Sequence, residues 1–353
     1  MPVNLRLATF NCENLFSRPR VFRESAERSR ELLDFVAQLQ LELKREVFDH
    51  PRIEQLVAAV RGYATLNELR GSYRTAAGAS QWLGWVELSR DENRVEAVQN
   101  TARVIADVDA DVICLVEVEN RLGLQKFHDD VLVEQFLQPA GKQGYEHVLL
   151  IDGNDERGID VAVMSRLPVL WLRSHIHERS DYLGRQTQTF SRDCLEVRVK
   201  LPARKQLHLL LNHFKSKRFS SADRQDPQGR LRRAGQARRV RELVDEHDLA
   251  RELVVVAGDF NDTPDSEALA PLVGTPGLYN VNLELPENQR GTFQNRREQI
   301  DYLLVSDHLR AGLRQVRIER RGIFTARGER YDTVVDARTQ ASDHAAVLAD
   351  FQL

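Results

Sequence analysis

Residues 253–262, LVVVAGDFND, end an apolar run in a group of polar residues whose types suit chemistry. Successive side chains of a strand point to opposite faces, so Asp259 and Asn261 are predicted to share one face at the carboxyl end of a strand. A strand that brings a carboxylate and a carboxamide together at its end is typical of a functional site.

Four further segments place polar groups beside apolar runs in the same manner. They are residues 5–11 ending in Asn11, residues 111–117 ending in Glu117, residues 300–305 with Asp301 near the start, and Ser342-Asp343-His344 ahead of the last apolar run. Carboxylates dominate this set and the chain has no cluster of cysteines. Any bound metal is therefore predicted to be a hard cation such as Mg²⁺, Mn²⁺ or Ca²⁺.

The composition indicates the class of protein and the compartment in which such a site would lie. The chain has 353 residues, of which 42% are apolar and 29% charged, as in soluble globular proteins. No stretch reaches the roughly 18–20 apolar residues that span a bilayer, and the first residues lack the basic start and apolar centre of a secretory signal. Cys12, Cys114 and Cys194 are far apart and lie in or beside apolar runs, so they are predicted to be buried thiols. Together these features predict a cytoplasmic protein.

The elements that must position the site follow from the apolar pattern. An amphipathic helix is predicted over 91–108, with Asp91 as its N-cap, and a basic helix over 229–248. Strands are predicted at 5–10, 111–116, 159–165, 169–172, 195–201, 207–212, 252–257, 300–305 and 346–351. One sheet does not comfortably hold so many strands, so we expect two packed sheets with helices outside.

Residues 17–80 interrupt this alternation. They contain a long helical pattern up to about Phe48, a second helix that starts near Pro51, and a loop at 71–80. We expect a helical insertion at about 17–80 in a domain that otherwise covers 1–353. It would serve either as a cap over the site or only as a cover for the edge of a sheet.

The polar segments also stand in an order that is typical of one family. They are TFNCENLF (9–16), DVICLVEVE (111–119), GIDVAVMSR (158–166), LLNHFKSK (210–217), VVVAGDFND (254–262), IDYLLVS (300–306) and SDH (342–344). With these segments the chain resembles the endonuclease/exonuclease/phosphatase superfamily, which includes deoxyribonuclease I, exonuclease III-type apurinic endonucleases, neutral sphingomyelinases and inositol polyphosphate 5-phosphatases. The resemblance implies an α/β fold, a four-layer α/β sandwich of two packed mixed β-sheets flanked by helices, with the site at one end.

The resemblance also implies roles for the matching positions. Glu117 would ligate a divalent metal, Mg²⁺ or Mn²⁺, with Asn11 beside it and Asp343 helping to hold the ion. Asp259 would polarise or deprotonate the attacking water, or protonate the leaving oxygen. Asn261 would orient the phosphate.

Two histidines complete the implied site. Asp301 and His344 would form a pair in which the carboxylate fixes the imidazole tautomer and raises its basicity. His213 matches a second phosphate-contacting histidine of the deoxyribonuclease I branch. The water proton would go to Asp259 or to His344, and the sequence leaves both open. The histidines without an assigned role include His147, His175, His177, His208 and His308.

Three more residues are predicted to bind substrate. Asp160 interrupts an apolar run, where an unpaired carboxylate is costly, so it is predicted to pair with His213 or another site group. Lys215 and Lys217 follow His213 at a spacing of two and are predicted to face the substrate, with a solvated rim as the alternative.

The charge distribution bears on the substrate class. Residues 198–241 hold fourteen Arg or Lys residues against Asp223 and Asp226, which favours DNA or RNA, although Arg outnumbers Lys 43 to 7 in the chain and compositional bias competes as the explanation. A metal-dependent nuclease is the preferred function, and a phosphoesterase acting on a lipid headgroup or a small phosphate ester is the alternative. Val116 stands where exonuclease III-type enzymes usually have Gln, which argues against apurinic-site specificity. No protein partner is assigned.

Overall fold

The computed structural model describes residues 3–15, 17–92, 94–155, 157–182, 184–217, 227–293, 298–325 and 328–353. Two compact units form within it. Residues 17–92 make up the smaller unit, and the larger unit contains the remaining described residues.

The strands and helices of the described chain are numbered in sequence order. The strands are β1 (Asn4–Leu15), β2 (Ser17–Pro19), β3 (Ala64–Arg70), β4 (Leu83–Leu88), β5 (Arg90–Glu92), β6 (Val112–Val118), β7 (His147–Leu150), β8 (Asp160–Ser165), β9 (Val169–Arg173), β10 (Arg179–Tyr182), β11 (Arg185–Gln188), β12 (Cys194–Lys200), β13 (Gln206–His213), β14 (Leu253–Asp259), β15 (Leu278–Asn280), β16 (Asp301–Ser306), β17 (Leu313–Glu319) and β18 (Ala346–Gln352). The α-helices are α1 (Ala26–Glu42), α2 (His50–Ala59), α3 (Val95–Val108), α4 (Arg121–Lys126), which continues as a π-helix (Phe127–Leu137), α5 (Pro227–Val244) and α6 (Asp307–Arg310). Every apolar run that was predicted to be a strand forms one.

Two six-stranded sheets dominate the larger unit. The first has the order β17-β18-β1-β6-β8-β7 and the second the order β15-β16-β14-β13-β12-β9. Each has one parallel pair near its centre, β1 with β6 and β13 with β14, and its other neighbours are antiparallel. Both sheets are therefore mixed, as predicted.

Apolar side chains fill three spaces between layers. Leu7 and Cys114 of the first sheet meet Leu209 and Val255 of the second in the core between the sheets. The outer face of the first sheet packs on α3, α4 and the π-helix, and the outer face of the second sheet packs on α5. This helix–sheet–sheet–helix arrangement confirms the predicted four-layer sandwich. All three cysteines are buried free thiols, as predicted.

The smaller unit has its own core. Leu39 of α1 and Ile53 of α2 pack with Phe48 and Trp82, and β3 and β4 form an antiparallel hairpin beside them. Both helices were predicted, although the first ends at Glu42, and the hairpin was not. The interpretation of this unit as an insertion stays a prediction.

The helix that leads into β6 begins later than the sequence indicated. It starts at Val95, and Arg94 occupies the N-cap position without a side-chain capping bond. The predicted N-cap at Asp91 is wrong because residues 90–92 form a strand that pairs with 17–19. In the described part of the chain, no helix combines the length and the apolar character needed to cross a membrane.

Candidate active site

One carboxamide links the ends of three strands from both sheets. Asn11, near the end of β1, donates from Nδ2 to Asp259 Oδ2 at 3.1 Å and to Glu117 Oε1 at 3.3 Å. Asp259 is the last residue of β14, and Glu117 is the penultimate residue of β6. The site therefore forms where the carboxyl ends of the central parallel pairs meet.

Unusual backbone conformations aim these side chains. Glu117 has φ of 62° and lies where the β6–β8 register shifts, and a bulge of this kind redirects a side chain. Asn261 has φ of 54°. Left-handed conformations of residues other than glycine cost about 1–3 kcal/mol each, and they concentrate at functional sites. Gly258 has φ of 124° and approaches β13 so closely that a Cβ would lie 1.9 Å from the carbonyl oxygen of Asn212.

Asp259 and Asn261 lie together, but through a turn and not through strand alternation. The backbone N–H of Asn261 donates to Asp259 Oδ1 at 2.7 Å, and its Nδ2 donates to Asp259 Oδ2 and to the carbonyl oxygen of Phe214. Burial first, and then the charge of Asp301, raise the pKa of Asp259 to about 7. Because the Asn261 amide already has two internal acceptors, its predicted contact with phosphate stays a prediction.

The predicted Asp301–His344 pair is formed. Asp301 lies opposite Asp259 in the β14–β16 register, and its Oδ2 accepts from His344 Nδ1 at 2.9 Å and from Thr292 Oγ1 at 2.6 Å. Burial would lower the pKa of His344, but the charge and hydrogen bond of Asp301 outweigh it and raise that pKa well above its usual range. His344 therefore carries a positive charge at neutral pH.

His213 lies beside the two linked carboxylates. It is the last residue of β13, and its Nε2 is 3.7 Å from Asp259 Oδ2 and 3.9 Å from Glu117 Oε1. Burial first, and then the positive charge of Arg192, lower the pKa of His213 well below its ordinary value. Its Nδ1 has no hydrogen-bond partner within the described ranges. A neutral imidazole thus faces the site.

The predicted partner of Asp160 is not His213. The Asp160 carboxylate accepts from the backbone N–H of Gly153 at 2.8 Å, and burial raises the pKa of this carboxyl to about 7. Protonation and one backbone hydrogen bond therefore reduce the cost of burying it. Its role in substrate binding stays a prediction.

The two predicted lysines occupy the segment after β13. Lys217 Nζ forms an ion pair with Asp262 Oδ1 at 2.8 Å, and Asp262 also accepts from buried Arg233. The backbone of Lys215 is bonded to Gln236 and to Arg233. Part of the lysine charge is thus neutralised internally.

The metal roles of Glu117, Asn11 and Asp343 stay predictions, and three other site residues form a group that could also hold an ion. Asp259, Asp301 and His344 offer ligand atoms that lie within 4.8 Å of one another. Asn11 presents N–H groups to the carboxylates because its oxygen accepts from the backbone N–H of Glu13, so in this arrangement it is a donor and not a ligand. Asp343 is 41% exposed, and its carboxylate lies 3.8 Å from the imidazole of His344.

The donor set nevertheless fits a hard divalent cation. Asp301 Oδ1 is buried without a hydrogen-bond partner in the ranges described, and the negative charges of Asp301 and Glu117 contribute to the raised pKa of Asp259. Carboxylate oxygens that are free to accept are the ligands that Mg²⁺ and Mn²⁺ prefer.

Several residues near the site were not predicted. Buried Arg192 contacts Asp155 Oδ2 at 2.8 Å and donates to the carbonyl oxygen of Phe214, and Arg157 forms a second ion pair with Asp155. The hydroxyl of Thr292 supports Asp301. Only the close spacing of Asp155 and Arg157 could have suggested their ion pair, and nothing in the sequence indicates Arg192 or Thr292.

One known protein family matches most of the chain. The model of the Endonuclease/Exonuclease/phosphatase family matches residues 64–344. The chain belongs to the endonuclease/exonuclease/phosphatase family. Members of this family are hydrolases of phosphoester bonds, and they include nucleases and phosphatases.

Solved structures of family members share the fold. An endonuclease/exonuclease/phosphatase from Beutenbergia cavernae DSM 12333 is 16% identical, with coverage of 99% of this chain and 72% of that chain and a TM-score of 0.54. A family protein from Bacteroides vulgatus is 14% identical, with 99% of both chains covered and a TM-score of 0.51. One from Bacteroides thetaiotaomicron is 15% identical, with coverage of 100% and 99% and a TM-score of 0.51. No curated protein sequence matches the chain significantly.

Proposed function

We propose that this protein is a divalent-metal-dependent phosphodiester hydrolase that acts on nucleic acid. The proposal rests on one observation: strand ends of both sheets bring acids and imidazoles together in a single group. Asn11 holds Glu117 and Asp259 together, and Asp301 and His344 lie against Asp259.

The metal would be Mg²⁺ or Mn²⁺. Glu117, whose side chain is 20% exposed, is the acid through which this group reaches solvent, and Asp259 and Asp301 add negative charge behind it. When bound, the ion would neutralise charge on the phosphate oxygens.

The side chains divide the proton chemistry between them. Asp259 is buried, and its pKa of about 7 suits a group that accepts a proton from water at neutral pH. Protonated His344, held by Asp301, would donate to a phosphate oxygen or to the leaving oxygen. Neutral His213 would contribute a ring N–H to the same phosphate. This division favours Asp259 over His344 as the base.

The positive charge after β13 supports a polyanionic substrate. Lys217 is 39% exposed, and it follows His213 along the chain. The polyphosphate backbone of a nucleic acid would lie along this segment, with one phosphate at the acids.

Internal ion pairs favour a second candidate, a small phosphate ester. Four arginines of α5 pair with carboxylates, which removes much of the charge that would attract a polymer. The pairs are Arg230–Glu267, Arg233–Asp262, Arg239–Glu178 and Arg241–Asp245.

A substrate panel separates the candidates. Hydrolysis is measured with Mg²⁺ or Mn²⁺, and with EDTA as control, on plasmid DNA, single-stranded DNA, RNA and bis-p-nitrophenyl phosphate. We expect EDTA-sensitive cleavage of at least one nucleic acid. Turnover of the small ester alone would replace the nuclease proposal by the second candidate, and activity that survives EDTA would contradict metal dependence.

A matched pair of variants tests the acid at the centre of the proposal. Glu117→Gln is expected to abolish metal-dependent turnover while far-UV circular dichroism stays unchanged. Glu287→Gln, at an exposed position, is the control and should keep full activity. Retained activity in Glu117→Gln would remove Glu117 from the site.

A further inference from the structure

A second group of imidazoles and a carboxylate lies at the start of β13. His208 is the third residue of that strand and His213 is the last, so roughly 16 Å of strand separates them. His208, His247 and Glu252 each offer a ligand atom, and these atoms lie within 4.8 Å of one another. The active site uses none of these three residues.

Hydrogen bonding alone does not account for this arrangement. His247 Nδ1 is 2.8 Å from Glu252 Oε2, which is a normal hydrogen bond. His208 Nε2 approaches the same oxygen at 3.8 Å, which is too long for one. The two rings lie with their centroids 4.6 Å apart and their planes inclined by 58°. Two imidazoles thus converge on one carboxylate oxygen.

Two parts of the chain position the three side chains. His208 lies on β13, and the connection from α5 to β14 supplies the other two residues. The backbone N–H of His247 bonds to the carbonyl oxygen of Val244 at the end of α5, and the remaining Glu252 oxygen accepts from the N–H of Asp248. The group is therefore held by backbone hydrogen bonds.

Access from solvent also suits a ligand. A cavity of about 370 Å³ opens beside the group, with His208, Glu252 and His308 in its lining.

We propose that His208, His247 and Glu252 bind a divalent transition metal ion of the zinc class. Two imidazole nitrogens and one carboxylate oxygen are donors that Zn²⁺ accepts readily, whereas Mg²⁺ prefers oxygen alone. Water from the cavity would complete the coordination. The bound ion would fasten the α5–β14 connection to the start of β13.

Zinc stoichiometry tests the proposal. The full chain is freed of metal with a chelator and dialysed against limiting Zn²⁺ in excess Mg²⁺, and bound zinc is counted. Wild type and His344→Ala are compared so that zinc at the active site is recognised. We expect one equivalent that persists in His344→Ala and in the control His308→Gln, and that is lost in His247→Gln.

Two further measurements guard against misfolding. His247 and Glu252 lie in the connection between α5 and β14, so His247→Gln and Glu252→Gln are preferred to replacing His208 within the central strand β13. Zn²⁺ should raise the Tm of wild type and of His308→Gln but not of the two turn variants. Equal zinc content in wild type and His247→Gln would overturn the proposal, as would a wild type whose only zinc is lost in His344→Ala.

Discussion

Two groups of imidazoles and carboxylates stand at opposite ends of the second sheet, and they differ in their proportions. At the carboxyl end of β14, Asp259 and Asp301 surround His344, whose pKa is raised well above its usual range. At the start of β13, two imidazoles share Glu252, and the pKa of His208 is lowered. Burial acts to lower the pKa of both histidines. At His344 the charge and hydrogen bond of Asp301 outweigh burial, whereas at His208 the positive charges of His247 and Arg198 add to it.

A third histidine supports this explanation. His175 lies between two acids, with Nδ1 2.6 Å from Glu178 and Nε2 3.2 Å from Glu196. Burial would lower its pKa, but the hydrogen bonds to both acids raise it. His175 thus behaves like His344. A hydrogen-bonded acid thus raises the pKa of His175 and His344, and His208, which has no such bond to an acid among the described residues, keeps the lowered pKa that burial causes.

The largest effect should come from the charged imidazole. His344→Ala is expected to lower kcat by about 10²–10⁴-fold, the usual contribution of a group that transfers protons. His308→Ala, at an exposed position, should leave kcat unchanged. A loss of less than tenfold in His344→Ala would mean that the acid-rich end works without its imidazole.

The buried ion pairs near the acid-rich end should dominate stability. Asp155→Asn leaves Arg192 and Arg157 without their shared carboxylate and should lower the free energy of unfolding by about 3 kcal/mol. Glu267→Gln removes the partner of Arg230 in an exposed pair and should cost less than about 1 kcal/mol. Urea unfolding measures both, and similar losses in the two variants would contradict the difference that we assign to burial.

A neutral hydroxyl should have an intermediate effect. Thr292→Val removes the donor to Asp301 and the acceptor for the N–H groups of Ile300 and Asp301. All these groups are buried, so we expect a loss of about 2 kcal/mol in the free energy of unfolding. Thermal unfolding of Thr292→Ser, which keeps the hydroxyl, provides the control. Equal losses of stability in the two variants would show that the hydroxyl is not what stabilises this position.

The smallest effect is a pH dependence at His175. Its folded-state pKa lies above the ordinary value of 6.5, so its charged form contributes stability that is complete below about pH 6.5 and is lost as the pH rises through the folded-state pKa. Glu178, Glu196, Asp193 and the cation Arg173 surround it. The stability difference between wild type and His175→Gln should shrink by about 1 kcal/mol or less as the pH rises above neutrality. If the stability difference instead grows as the pH rises, the neighbouring acids do not raise the pKa of His175.

Much of the site could be predicted because it lies where apolar runs stop. Asn11, Glu117 and Asp259 each follow such a run, and the order of the motifs implied that their strands converge. What each group does could not be predicted from its type. The carboxamide of Asn11 points its N–H groups inward only because Glu13 occupies its oxygen.

Site residues that lie in loops could not be predicted from the sequence. Thr292 and Arg192 lie in segments without a hydrophobic period, so no pattern marks them. The partner of Asp160 is the backbone N–H of Gly153, which no apolar run indicates. His208 and His247 are 39 positions apart and become neighbours only through the α5–β14 turn.

The position of β1 determines how late in synthesis the first sheet and the candidate site can be completed. That strand lies between β6 and β18, with Asn4 opposite Gln352, and Arg6 forms an ion pair with Asp350. Contacts across such a separation are slow to form. During synthesis, the first sheet cannot close before residue 352 has left the ribosome. Because His344 is also synthesised late, a nascent chain carries an incomplete set of acids and imidazoles. We therefore expect the proposed hydrolysis to begin only after β18 has left the ribosome.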